Sequence, residues 1–174
     1  MKIKPSYSLK NFSRAGKVPE FSFNFPDNFV LVIDTREQNP LFQKPPKGLF
    51  IVRNTLTVGD YSVLGFENEV SIERKSVLDL LSSLGKNRDR FKEELMILKD
   101  YKLKWLVIEG SEDDVLSFHI ESLMHPNSVR QSLASIEVRL GIPIYYEPKR
   151  EKMERWILDR LIKIYRIRRQ NGEG

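Results

Sequence analysis

Two short apolar segments constrain the fold of this chain most: FVLVID, from Phe29 to Asp34, and KWLVIEG, from Lys104 to Gly110. Each is a continuous apolar run that ends in an acidic residue. This is typical of a strand that is buried on both faces and exposes the acid at its carboxyl end. Segments with helical spacing lie between and after these strands. The alternation predicts an α/β fold whose central sheet is covered by helices.

The other predicted elements follow from shorter patterns. LFIVRNTL predicts a second strand, the stretch from Asp60 to Lys75 a hairpin, and IPIYYEP a last strand. Helices are expected in SVLDLLSSL, which Ser76 caps, in RFKEELMILKDY, and in NSVRQSLASIEVRLG, which Gly141 closes. A final helix is expected from Glu151 to Arg169. Four apolar residues form its expected inward face: Met153, Ile157, Leu161 and Ile164.

Length and composition exclude several classes of protein. With 174 residues, 30% charged and 40% hydrophobic, the chain suits one globular domain with a substantial core. No apolar run reaches the roughly 20 residues of a membrane-spanning helix, and MKIKPSYSLKNFSRAGK lacks the apolar stretch of a secretory signal. The absence of cysteine excludes disulfides and thiolate zinc sites. An intracellular protein without a membrane segment is expected.

Positive charge is concentrated in two places. The net charge is only +5, but Lys149 to Arg169 holds nine Lys or Arg residues against three acids, and GKNRDRFK adds a second basic stretch. Such patches indicate a polyanionic partner, most often nucleic acid, although a solvated helix face gives the same pattern. If the partner is DNA, both the final helix and the second stretch are expected to supply the backbone contacts, the second stretch through Lys86, Arg88, Arg90 and Lys92.

The predicted hairpin carries charges where a small domain usually places apolar residues. If Glu67 and Asn68 form a two-residue turn, Asp60 lies opposite Lys75 with about 4.5–5.5 Å between their Cβ atoms. Glu73 is then diagonal to Asp60 at about 7–8 Å. Because side chains alternate along a strand, Glu73 and Lys75 share one face. A longer loop would change this register.

Two carboxylates at that separation can share a divalent metal, with the lysine beside them. Oxygen ligands favour a hard cation such as Mg²⁺ or Mn²⁺. The metal can polarise a phosphoryl oxygen and acidify a bound water, while the lysine positions or deprotonates that water or stabilises charge on the phosphate. The alternative interpretation of the same spacing is a salt-bridge ladder on the surface.

The order of several motifs is more specific than their spacing. VIDTREQ, GDYSV, SIERKSVLDLLSSL, RFKEEL and WLVIEG follow one another in the chain. In this order they resemble the nuclease domain of the XPF family of structure-specific endonucleases, from about Val30 to the final helix. That family's signature is Asp-x-Arg-Glu after the first strand, then Gly-Asp, then Glu-Arg-Lys with three residues before an Asp. Every position is filled here: Asp34, Arg36, Glu37, Gly59, Asp60, Glu73, Arg74, Lys75 and Asp79.

The resemblance implies a restriction-endonuclease-like core, in which helices flank a mixed central sheet. It also implies Mg²⁺- or Mn²⁺-dependent cleavage of DNA at flaps, forks and other junctions between duplex and single strand. By the same analogy Asp60 and Glu73 are metal ligands, Asp34 adds a ligand directly or through water, and Lys75 is the lysine of an acid–acid–lysine core.

The remaining signature residues receive broader roles from the resemblance. Arg36 is expected near the scissile phosphate, and Glu37 belongs to the same catalytic set. Arg74 and Asp79 are expected to support the site. Outside the signature, Glu109 either supports the site or ends its strand in a turn.

The resemblance also divides the chain into an irregular arm, residues 1–28, and an XPF-type nuclease domain, residues 29–170. Many family members continue into paired helix-hairpin-helix modules, whereas this chain stops at Gly174, so none is expected. The arm matches no part of the family. Its aromatic residues Phe21, Phe23 and Phe25 are expected to pack on the body, with dimerisation or DNA stacking as alternatives.

Assembly and exact function stay open at this point. Trp156, Tyr165 and Ile167 give the final helix more apolar surface than one buried face requires. This surplus predicts a homodimer through the last two helices, and an unknown protein partner could add specificity. A nuclease acting on single-stranded or invading DNA, or a scaffold that binds without cutting, are the alternatives to a flap endonuclease. His119 and His125 lie outside every motif and are expected in loops.

Overall fold

The computed structural model describes residues 23–120, 122 and 124–172 of the chain. Its sheet contains six strands: β1 (Val30–Asp34), β2 (Phe50–Asn54), β3 (Tyr61–Val63), β4 (Val70–Ser76), β5 (Leu103–Glu109) and β6 (Ile144–Tyr146). The described residues also form five helices: α1 (Val77–Leu84), α2 (Arg88–Leu98), α3 (Glu112–Leu116), α4 (Pro126–Leu140) and α5 (Arg150–Gln170).

The sheet is mixed and has the strand order β2-β1-β3-β4-β5-β6. Strand β1 is parallel to β2 and antiparallel to β3, which is also antiparallel to β4. Strands β4, β5 and β6 are parallel to one another. Consequently the carboxyl ends of β1, β4 and β5 lie at the same edge as the start of β3. The predicted mixed central sheet flanked by helices is confirmed.

Two hydrophobic layers bury the sheet, one on each face. Helix α5 packs with Leu31, Ile33 and Ile72 on one face. Helices α1 to α4 pack with Leu106 and Ile108 on the other. Each fully buried Leu or Ile side chain contributes roughly 1.5–3 kcal/mol to stability. This two-sided burial explains why the strand segments are apolar runs rather than alternating patterns.

Helix α5 buries a wider face than predicted. The four residues of its expected inward face are buried, which confirms that prediction. Tyr165 is also buried, with only 5% of its surface exposed, and its hydroxyl donates to the carbonyl of Asp27. It belongs to the core and is not surplus surface. Trp156 packs against Trp105 and Tyr145 and is half-buried.

The helix ends follow local signals. The Ser76 hydroxyl caps α1 by accepting from the backbone N–H of Asp79 (3.2 Å), as predicted. Gly141 closes α4 with a φ of 61°, a conformation that glycine adopts without strain. Helix α3 was not predicted. Its signal is a capping box, in which Ser111 and Asp114 bond to each other's backbone N–H.

The connection between β3 and β4 differs from the prediction. Six residues join the strands, because β3 ends at 63 and β4 begins at 70. Tyr61 therefore pairs with Ile72, and the expected opposition of Asp60 and Lys75 is wrong. The physical reason is a local turn, in which the N–H of Phe66 donates to Val63 and its carbonyl accepts from Val70.

The periphery agrees with the remaining expectations. Phe23 and Phe25 stack with ring centroids 5.5 Å apart and pack against the layer of α5, whereas Phe21 lies outside the described residues. His119 lies in a loop, and His125 precedes α4, where its ring accepts from a backbone N–H. None of the helices in the described part of the chain is long and apolar enough to cross a bilayer. The boundary between arm and domain stays a prediction.

Candidate active site

Four acidic residues lie at one edge of the sheet. Asp34 ends β1, Asp60 immediately precedes β3, Glu73 lies in β4, and Glu109 ends β5. The backbone N–H of Asp34 donates to the carbonyl of Asp60 (2.8 Å), which ties the first two together. The edge is the one at which ligands bind in many α/β proteins, because the strand ends leave a crevice there.

Asp60 is held beside Glu73 by two hydrogen bonds. Its backbone N–H donates to the carbonyl of Ile72 (2.8 Å), and its carboxylate accepts from the backbone N–H of Arg74 (2.7 Å). Asp60 therefore contacts the residues on both sides of Glu73. The preceding Gly59 makes this approach possible. Its φ is 85°, and a side chain there would overlap the hydroxyl of Ser71.

Lys75 contacts two acids. Its amino group lies 2.7 Å from Oε1 of Glu73 and 3.8 Å from Oε2 of Glu94 on α2, and it lies over the ring of Phe91 at 5.1 Å. The Lys75 and Glu73 side chains are only 14% and 10% exposed. This burial contradicts the alternative of a salt-bridge ladder on the surface, and the shared face of Glu73 and Lys75 is confirmed.

Burial and mutual repulsion shift the titration of these groups. Burial, followed by the charge of Glu73, raises the pKa of Asp60 well above its ordinary value. Burial also raises the pKa of Glu73, although Lys75 opposes that shift. Burial alone would lower the pKa of Lys75, but Glu73 and Glu94 outweigh it and raise the pKa. Two acids that resist ionisation beside a charged lysine are typical of functional sites.

Asp34 is fully engaged by hydrogen-bond donors. Its carboxylate accepts from Nε and Nη2 of Arg36 (2.8 and 2.9 Å), from the backbone N–H of Arg36 (2.7 Å) and from that of Leu56 (2.7 Å). Burial alone would raise the pKa of Asp34, but these bonds outweigh it and lower the pKa. The Arg36 side chain is 63% exposed, so it is free to meet a ligand at this edge.

A buried ion network lies beside the acids. Arg74 pairs with Glu37 (3.2 Å) and with Glu109, and Arg150, the first residue of α5, pairs with Glu109 (3.2 Å). Arg74 is 8% exposed and Glu37 9%, so the pairing is shielded from solvent. The network joins the loop after β1 to β4, β5 and α5. Of the two roles left open for Glu109, support of the site is the one that this pairing favours.

Other candidate residues lie farther from the acids. Asp79 accepts from the hydroxyl of Ser76 as part of the α1 cap, and its support of the site stays a prediction. The four residues predicted to contact DNA, Lys86, Arg88, Arg90 and Lys92, are exposed on the α1–α2 connection and the start of α2. Arg90 pairs with Glu94 (3.6 Å), the residue that also contacts Lys75. The basic surface therefore begins next to the site.

The donor set fits a divalent cation held by two carboxylates. Within the described ranges, no three His, Asp or Glu side chains form a group that could hold a metal ion. Mg²⁺ usually binds through one or two carboxylates plus waters and phosphate oxygens. A cation would offset both the burial and the repulsion from Glu73 that raise the pKa of Asp60. Asp60 and Glu73 fit this role, whereas Asp34 would first have to be released by Arg36.

Two residues of this site were missed by the sequence analysis. Glu94 was hidden in a helical segment whose charges resembled a solvated face, and only the packing of α2 on β4 brings it to Lys75. Arg150 lies in a stretch interpreted as a DNA-binding surface. Several cations of that stretch are used within the fold instead, including Arg150 with Glu109, Arg155 with Asp159 and Arg168 with Glu69.

The chain is similar to known proteins in sequence and in fold. The ERCC4 domain model matches residues 33–159. The chain is 33% identical to the DNA repair protein RAD1 of Saccharomyces cerevisiae over 130 residues, which cover 64% of this chain but only 11% of the yeast protein.

Solved structures of XPF from Aeropyrum pernix, alone and in complex with DNA, match the fold. Each has a TM-score of 0.57, at 20% and 19% sequence identity. They cover 78% of this chain, which spans 60% and 64% of theirs. The restriction-endonuclease-like fold class is thereby confirmed. The family model covers most of the chain, and the chain therefore belongs to the ERCC4 domain family, as its resemblance to the XPF nuclease domain predicted.

Proposed function

We propose that this chain is a divalent-metal-dependent DNA endonuclease that hydrolyses phosphodiester bonds at flaps, forks and other junctions between duplex and single strand. The observation that carries the proposal is the contact between Glu73 and Lys75, with Asp60 held alongside. Family membership supports the reaction class. The relatives support the substrate, because one is a DNA repair protein and another is an XPF in complex with DNA.

Asp60 and Glu73 are proposed to hold Mg²⁺ or Mn²⁺. When bound, such a cation polarises a phosphoryl oxygen and makes a water more acidic. The protein's own part is to supply two converging carboxylates in a partly buried crevice, where their repulsion favours a cation. Asp34 is proposed to act mainly through Arg36, which it orients by two side-chain hydrogen bonds.

Lys75 and Arg36 are proposed to meet the phosphate. Because Glu73 and Glu94 raise the pKa of Lys75, its amino group is charged at neutral pH. It then donates hydrogen bonds and stabilises negative charge rather than removing a proton. Arg36 is mostly exposed at the same edge. Its Nε and Nη2 donate to Asp34 and to the carbonyl of Leu56, so Nη1 is the nitrogen proposed to donate to the phosphate.

The α1–α2 connection is proposed to contact the DNA backbone. Arg88 and Arg90 are exposed, and Arg90 is linked through Glu94 to Lys75. A phosphate path from this connection to the acids is therefore short. DNA as substrate implies an intracellular location.

The proposed assembly is a homodimer through α4 and α5, and an unknown protein partner could add specificity. Ile167 and Val138 keep 43% and 85% of their surface exposed. Apolar surface of this kind often marks an interface. Tyr165 does not support the dimer as expected from the sequence, because its side chain lies in the core.

A nuclease that cuts single-stranded or invading DNA is the second candidate. The scaffold alternative is weaker, because every signature acid is present and held in place. One assay separates the three: flap, fork, single-stranded and duplex DNAs are incubated with Mg²⁺, Mn²⁺ or EDTA. Cleavage of flap and fork only with metal supports the proposal. Cleavage of single strands alone favours the second candidate, and binding without cleavage favours the scaffold.

A further inference from the structure

A cavity of about 760 Å³ lies between β6 and α5. This volume is within the roughly 300–1,000 Å³ of small-molecule sites. Its lining combines aromatic rings with cations at the rim. The rings belong to Phe23, Tyr145 and Trp156, and cations of the lining include Lys149, Lys152 and Arg160.

The aromatic residues form a flat stack. The Tyr145 and Trp156 rings are nearly parallel, with an interplanar angle of 12° and centroids 4.2 Å apart. Trp105 supports Trp156 edge-on at 5.9 Å, and the guanidinium of Arg160 lies 3.5 Å from the centroid of Trp156. Proteins bind single-stranded nucleic acid on such aromatic faces, because every base can stack on them.

The charges around the stack suit a phosphate. The cavity lining carries four cations, Lys149, Lys152, Arg155 and Arg160, against three acids, Glu147, Glu151 and Asp159. Asp159 pairs with Arg155 (3.5 Å), and Glu147 accepts from the backbone N–H of Lys149 (2.9 Å), whereas Glu151 is exposed beside the lysines. Lys149 and Lys152 are exposed at the start of α5. They therefore present positive charge beside the rings.

An ion network links the start of α5, beside the cavity, to the candidate active site. Arg150, the first residue of α5, follows Lys149 of the cavity lining, and its guanidinium donates to Glu109 (3.2 Å). Glu109 in turn pairs with Arg74, which follows Glu73 in β4. A strand that leaves the acids along this edge of the sheet would reach the aromatic stack next.

We propose that this cavity binds a nucleotide of the unpaired strand of a branched DNA, with the base stacked on Tyr145 and the phosphate near Lys149 and Lys152. The inference rests on the proposed DNA substrate and adds a site that would recognise the single-stranded arm. A protein segment or a second copy of the chain could also cover aromatic residues. The paired lysines beside the rings, on a path from the acids, favour the nucleotide.

Intrinsic fluorescence reports on this cavity directly. Trp105 and Trp156 are the only two tryptophans of the sequence, and both belong to the stack. The full chain, in EDTA to prevent cleavage, is titrated with oligothymidylate or with a blunt duplex of equal length. We expect saturable quenching with the single strand and much weaker quenching with the duplex.

Variants assign the binding to the cavity. Tyr145→Leu removes the stacking ring and should weaken oligothymidylate binding about 10-fold or more, whereas Tyr145→Phe should retain it. Lys152→Ala should reduce the salt dependence by about 0.7 of a logarithmic unit for one lost phosphate contact. Arg130→Ala is the control, because it removes an exposed charge on α4, in the layer on the opposite face of the sheet. It should change neither the affinity for oligothymidylate nor the salt dependence.

The outcomes separate this inference from the proposed function. Quenching that Tyr145→Leu abolishes supports the site even if no DNA is ever cut. Flap cleavage by a protein whose fluorescence does not respond to single strands would overturn the site and leave the nuclease proposal standing. A fluorescence change that follows protein concentration rather than DNA would place Trp156 inside the homodimer interface proposed for α5, and it would also overturn the nucleotide site.

Discussion

The amino group of Lys75 lies 2.7 Å from Oε1 of Glu73, two positions earlier on the same face of β4. Strand alternation makes this contact possible, and α2 then adds Glu94 from the other side. The lysine is thus held between two acids and is itself mostly buried. Substitution of Lys75 and of the neighbouring acids tests whether they act as a metal-assisted nuclease site.

Asp60→Asn and Glu73→Gln should each abolish cleavage and leave DNA binding largely unchanged, because each removes a carboxylate charge that is proposed to hold the cation and does not remove a phosphate contact. The loss should exceed the roughly 10–100-fold that outer-shell changes cause at metal sites. Flap cleavage and binding in EDTA measure the two effects. Asp100→Asn is the control, because it makes the same isosteric change at an exposed residue, and it should be fully active. Normal Mg²⁺-dependent activity of Asp60→Asn or Glu73→Gln would show that the substituted residue is not a metal ligand.

Lys75→Ala should lose cleavage by about 10²–10⁴-fold while still binding metal, since the lysine is proposed to act on the phosphate or its water. Calorimetric titration with Mn²⁺ measures metal affinity separately from activity. If high metal concentration restored cleavage, Lys75 would be a support of the metal site and not a catalytic group.

Stability in EDTA should depend on pH through Asp60. The pKa of Asp60 in the folded protein is raised above its ordinary value of 3.8. At a pH between 3.8 and the pKa of the folded protein, the folded state therefore holds a proton that the unfolded chain has released. The stability from this group is therefore complete below pH 3.8 and is lost as pH rises through the window. Asp60→Asn should melt at a higher temperature than the parent at pH 7 and lose that advantage in acid. If the melting temperatures of the parent and Asp60→Asn changed equally with pH, the raised pKa of Asp60 would be contradicted.

Neutralising Arg88 and Arg90 to Gln should weaken DNA binding equally for all sequences. The slope of log K against log salt should fall by about 0.9 for each lost contact to duplex phosphate. Fluorescence anisotropy at several salt concentrations gives the slope. Arg130→Gln provides the matched control on α4, and a slope unchanged from the parent would make the α1–α2 connection an ordinary solvated surface.

The homodimer predicts a particle of twice the chain mass of 20.4 kDa. Light scattering at micromolar concentration, with and without flap DNA, measures it. Ile167→Glu should dissociate the dimer, because it places a charge on exposed apolar surface of α5. A monomer under both conditions would exclude the dimer.

Most elements and the membership of the site could be predicted from the sequence. Apolar runs that end in acids identify β1 and β5, because strands buried on both faces leave no polar positions except at their ends. Helical spacing identifies the inward face of α5, and the order of the motifs identifies the family. These signals are local, so each is visible without knowing what packs against it.

Only the tertiary structure decided how the site residues meet. The turn between β3 and β4 has six residues rather than two, which sets Asp60 beside Glu73 and not opposite Lys75. The packing of α2 on β4 brings Glu94 to Lys75. Register depends on turn geometry, and contacts between distant segments depend on the whole core, so local patterns do not specify either one.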